Sequence, residues 1–91
     1  MIYKTYLVSV YFANMKQKTS FDNFLTTVFD RKEIFEGLYI LKYTYPKNSE
    51  DIKNEIFSYT GSDIQIFIMK TGIEASWNIN IESDSWLKNN L

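Results

Sequence analysis

The chain has 91 residues, enough for one small domain. It contains no histidine and no cysteine, which excludes disulfides, thiolate metal sites, Cys nucleophiles and every Ser-His-Asp, Cys-His or His-zinc arrangement. Ten basic against eleven acidic residues leave a formal charge of −1. The cations are dispersed and Arg31 is the only guanidinium, so the basic stripe that neutralises phosphates in a nucleic-acid binder is missing.

Hydrophobic residues make up 45%, which predicts a globular chain rather than a disordered one. No apolar run is long enough to span a bilayer, and the first residues lack a signal peptide's charged start and cleavage site. The expectation is a soluble cytoplasmic protein that makes no use of the membrane. One proline, three glycines and no low-complexity stretch predict residues 1–91 as a single domain, with 73–91 as its tail.

In chain order, Ile2–Phe12 alternates with period two. Tyr6, Val8, Val10 and Phe12 share one face, and Tyr3, Leu7 and Tyr11 lie on the other, which predicts a strand. Ala13–Thr19 reads as a loop and Ser20 as a helix cap. Phe21, Phe24, Leu25, Val28 and Phe29 then fall on one helical stripe that is expected to end near Arg31–Lys32, at the negative pole of the helix dipole. Lys32–Glu36, Gly37 and Leu38–Tyr45 predict a hairpin closed by Pro46, with Tyr39, Leu41, Tyr43 and Tyr45 on one face of its second arm. Asn48 or Ser49 caps a second helix with Glu50 and Asp51 in its first turn, and Gly61 suits the left-handed residue after its end. Asp63–Lys70 is apolar on nearly both faces, the pattern of a central strand. Thr71–Gly72 turns the chain, Ala75–Ile81 alternates as a short edge strand, and Ser83 or Asp84 starts a last helical turn with Trp86 and Leu87.

The order β-α-β-β-α-β with an appendage is the ferredoxin-like split βαβ arrangement, an α+β fold. Two helices cover one face of an antiparallel sheet; the other face has no helix. Tyr3, Leu7 and Tyr11 from the first strand, and Tyr39, Leu41 and Tyr43 from the third, are expected on that bare face, too apolar for water. Self-association is the preferred use of such a surface. A different protein partner comes next, and base stacking last, because Leu38–Tyr45 has only Lys42 and Asp63–Lys70 only Lys70 as cations. Trp77 and Trp86 either pin the tail to its own core or anchor a partner.

The tail carries Lys70-Thr71-Gly72, Glu74-Ala75-Ser76-Trp77 and Ser85-Trp86-Leu87-Lys88-Asn89-Asn90-Leu91. It resembles the ending of small bacterial proteins of the SinR family, which are similar to the CRISPR-associated spacer-adaptation nuclease subunit and to virulence-associated protein D. Thr5-Tyr6-Leu7-Val8-Ser9 resembles that family's first strand, and Asn48–Ile56 its capped helix. The resemblance implies a symmetric homodimer of ferredoxin-like subunits, with the C-terminal strand added to the partner's sheet. In the nuclease members an Asp ending the first strand holds a divalent metal across the dimer; Tyr11 stands at that position here, and a phenol does not replace a carboxylate on a hard cation.

Two function classes follow. The first is a non-catalytic homodimeric interaction protein without a cofactor, of a kind found in mobile elements and defence systems. The alternative is a metal-dependent ribonuclease or deoxyribonuclease of the resembled family using Mg²⁺ or Mn²⁺ at a non-standard acidic site, with Asp22 and Asp63 as the residues to test. The bland reading of the carboxylates is structural: Glu50 and Asp51 as dipole partners, Asp63 as a turn residue, Glu82 and Asp84 at a capped, solvated terminus.

Overall fold

A computed structural model describes residues 4–44, 47–71, 76, 78 and 81–90. The elements are β1 (Lys4–Tyr11), α1 (Met15–Leu25), β2 (Asp30–Phe35), β3 (Leu38–Tyr43), α2 (Ser49–Thr60), β4 (Gln65–Lys70) and α3 (Ile81–Asn90). The sheet order is β2-β3-β1-β4 with every neighbour antiparallel. This is the ferredoxin-like split βαβ fold, followed by a C-terminal helix.

The core forms where α1 and α2 lie on the sheet. Tyr6 and Val8 of β1 and Leu41 of β3 meet Phe21 and Phe24 of α1 and Ile52 of α2 there, all buried. Each such side chain contributes roughly 1.5–3 kcal/mol through area removed from water. Aromatic rings link the layers: Phe21 lies 5.1 Å from Tyr39 and 5.3 Å from Phe12 between centroids, and Tyr6 meets Tyr43 edge-on at 5.9 Å.

α1 begins earlier than the hydrophobic stripe predicts. Asn14, not Ser20, is its cap: the Asn14 Oδ1 accepts the Gln17 N–H at 3.0 Å. Gln17 returns a bond from the Ala13 N–H at 2.7 Å, and its amide nitrogen donates to the Asp63 carbonyl at 2.8 Å, joining the start of α1 to the approach to β4. The helix ends at Leu25, not at Arg31–Lys32. The Thr26 and Thr27 hydroxyls donate to the carbonyls of Asn23 and Phe24, turning the chain out. Asp30, Arg31 and Lys32 therefore belong to β2, and Phe29 is exposed.

α2 forms as its sequence predicts. Asn48 and Asp51 make a reciprocal capping box, with the Asp51 N–H donating to the Asn48 Oδ1 at 2.8 Å. Gly61 follows the helix at φ 78°, and its N–H closes the last turn on the Phe57 carbonyl. In the β2–β3 turn Gly37 has φ 81°, and its carbonyl accepts the Val10 N–H at 2.8 Å. A Cβ on Gly37 would come within 2.6 Å of the Val10 oxygen.

Two strand assignments are corrected. β4 is an edge strand, not a central one. Its two apolar faces have different causes: Ile66 and Ile68 pack against the core, while Phe67 and Met69 are exposed on the other side. β3 is turned over relative to the sequence reading. Leu7 of β1 stands opposite Ile40, and Tyr6 opposite Leu41. Opposed residues share a face, so Tyr39, Leu41 and Tyr43 lie under the helices and are buried in the chain's own core, while Leu38, Ile40 and Lys42 point the other way. The expected strand Ala75–Ile81 falls largely outside the described residues, and Ile81 is the first residue of α3.

Candidate functional site at the helix-free face of the sheet

The face opposite α1 and α2 is laid out by strand register. One row across the sheet is Lys32, Ile40, Leu7 and Met69; the next is Phe35, Leu38, Ser9 and Phe67; Tyr11 and Gln65 follow at the end of β1 and β4. α3 lies against part of this face. Lys32 Nζ contacts Glu82 Oε1 at 2.6 Å, and Lys42 Nζ donates to Asn90 Oδ1 at 2.7 Å. Ser83, Trp86, Leu87 and Asn90 recur at helical spacing; Ser83 and Leu87 are buried and Trp86 is half-buried. Ile40 points to this face yet is only 5% exposed. Among the described residues, α3 is the element tied to its neighbours. The expectation of a wholly bare face is thus corrected: over β2 and β3 the chain covers it with its own helix.

Beyond α3 an apolar strip stays open. Tyr11 is 70% exposed, Phe67 61% and Phe35 58%, and Met69 is exposed beside a half-buried Leu7. Of the predicted interface residues, Leu7 and Tyr11 lie on this strip, and Trp86 sits on the covering helix. Tyr39, Leu41 and Tyr43 are on the opposite face, and Tyr3 and Trp77 lie outside the described residues. Phe67, Met69 and Phe35 were missed by the sequence reading. The alternation of Gln65, Phe67 and Met69 against Ile66 and Ile68 was the available signal for the first two.

Two concavities flank β1. A cleft of about 530 Å³ at its C-terminal end is lined by Tyr11, Phe12, Met15, Glu33, Glu36 and Tyr39, among others. Burial, reinforced by a hydrogen bond and charge from Glu33, pushes the Tyr39 phenol above its usual range. At the other end, Lys4, Lys47 and Lys70 surround a hollow of about 360 Å³ beside the start of α2. Lys47 is bonded to Glu55 and lies 5.1 Å from the Tyr43 ring centroid. The charge of Lys4, with a side-chain contact to it, lowers the Lys70 pKa.

Several carboxylates are drawn to lysines: Asp22 to Lys18 at 3.4 Å, Glu50 to Lys53 at 3.2 Å and Asp84 to Lys88 at 3.0 Å. The hydrogen bond from Lys32 holds the Glu82 carboxyl below its ordinary pKa. Among the described residues no group of three acidic side chains is placed to share a metal ion, and Tyr11 is the last residue of β1. No described helix is long and apolar enough to cross a membrane. No family model, curated protein or solved structure matches the chain.

Proposed function

We propose that the protein is a non-catalytic, homodimeric interaction module, similar in kind to the SinR-family proteins that its tail resembles. The exposed aromatic strip on the helix-free side of β1 and β4, built on Tyr11, Phe67 and Met69, carries this reading. α3 hides part of the sheet face but leaves these side chains in water, although burying them would be favourable by roughly 25 cal/mol per Å². Aromatic residues and Met are the types enriched at protein interfaces. A standard interface takes about 800 Å² from each partner, roughly an eighth of this chain's 6019 Å² surface.

Sedimentation velocity at micromolar concentration tests the proposal. The expected result is a dimer that a Phe67→Lys/Met69→Lys variant converts to a folded monomer, its urea midpoint lowered by no more than the stabilisation lost with the dimer, since both positions are exposed in the single chain. A wild-type monomer at these concentrations refutes it.

A further inference from the structure

The two margins of the sheet are built differently. β2 opens with four consecutive charges, Asp30-Arg31-Lys32-Glu33. Its pairing with β3 is interrupted by a register shift between Glu33 and Phe35, and α3 is tethered to it through Lys32. Charges, a bulge and a covering element are the devices that keep an edge strand from pairing further. β4 reads Gln-Ile-Phe-Ile-Met-Lys, pairs with β1 without interruption from Gln65 to Lys70, and has a charge only at its last residue. Among the described residues no strand pairs on its outer side.

We propose that β4 is the pairing edge of the dimer: two copies join antiparallel through β4 about a two-fold axis at Phe67, making one continuous eight-stranded sheet. The inference rests on the dimer reading above and names its geometry. A second copy is the favoured occupant because the two ends of the β4 segment carry opposite charges. Lys70, crowded by Lys4, stands at one end, and Asp63 lies just before the other. Antiparallel pairing about a two-fold axis sets each Lys70 beside the Ile64–Asp63 end of the other copy.

Parity fixes the axis. Opposed residues in an antiparallel sheet share a face, so β4 can meet its own copy only with the axis at a residue, not between two. An axis at Phe67 opposes Phe67 to Phe67 and Gln65 to Met69. It lays the Phe67 rings of the two copies side by side, covering the part of each exposed strip that lies along the seam, and places Ile64 against Lys70. An axis at Ile68 would move Lys70 away from Asp63, to face Ile66.

The cysteine-free chain allows a clean crosslinking test. Phe67→Cys, oxidised with copper phenanthroline, is expected to run mostly at twice the chain mass on a non-reducing gel, while Gln65→Cys stays at the single-chain mass. A Gln65→Cys/Met69→Cys variant keeps the Phe67 pair and is expected to crosslink as well. Sedimentation of the wild type separates the two claims. A dimer whose Phe67→Cys and double variants both stay uncrosslinked, or that crosslinks through Gln65→Cys alone, overturns the Phe67 axis and leaves the dimer standing. A monomer overturns both and leaves the edge to a strand from another protein.

Discussion

At Gly37 the backbone has φ 81°, and the place of a side chain is taken by the Val10 carbonyl oxygen 2.6 Å away. Gly37→Ala is expected to cost more than the roughly 1–3 kcal/mol of left-handed strain alone, because the Val10 carbonyl, on the residue whose N–H holds β1 to the turn, must also move. Gly61→Ala meets the same kind of strain at φ 78° but open space around the Cβ, so its urea midpoint should fall less. Asn48→Ala removes one half of the capping box and should cost about 1 kcal/mol. Tyr39 gives a pH signature. Its phenol is held above the ordinary value of about 10 by burial and by Glu33. The unfolded phenol therefore loses its proton first. The stabilisation is fully present below the unfolded pKa and is lost as pH rises through the folded one. Urea midpoints recorded from pH 8 upward should decline beyond about pH 10, and the decline should be shallower for Tyr39→Phe. Equal slopes for the two proteins would refute the assignment.

At the scale of elements, legibility followed how much each pattern excluded its alternatives. β1 and α2 were legible because a strict period of two, or Asn48 with Asp51 three residues later, fits one structure only. α1 was misplaced because Phe29 prolongs the apolar stripe. Asn14 with Gln17 three residues on is an equally good start signal, and it is the one the chain uses. β3 was turned over because Tyr39, Leu41 and Tyr43 are no more apolar than Leu38 and Ile40. Lys42 is the discriminating residue: a lysine belongs on the face away from the two-helix core, where it reaches Asn90. The docking of α3 could not be read, since the Lys32–Glu82 contact joins residues 50 apart in sequence. That contact is solvated and contributes little; buried Leu87 gives α3 its hold. Leu87→Ala should cost about 2–4 kcal/mol, within the range for buried leucines. A loss below about 0.5 kcal/mol, the size of an ordinary surface substitution, would show that α3 is not packed on the sheet.

At the scale of the whole molecule, the proposed dimerisation would couple to stability by mass action, because whatever binds only the folded chain raises its midpoint. The thermal midpoint of the wild type should therefore climb with protein concentration, whereas that of Phe67→Lys/Met69→Lys should not. A concentration-independent midpoint in both would count against the assembly.

The contrast between the guarded β2 margin and the plain β4 margin also decides how large an assembly can become. A growing fibril needs each added chain to present a fresh acceptor, and the proposed union consumes the one plain sheet margin among the described residues. Growth of the proposed assembly would therefore stop at a pair, and amyloid-like polymerisation would require the bulge and the charges of β2 to be removed first.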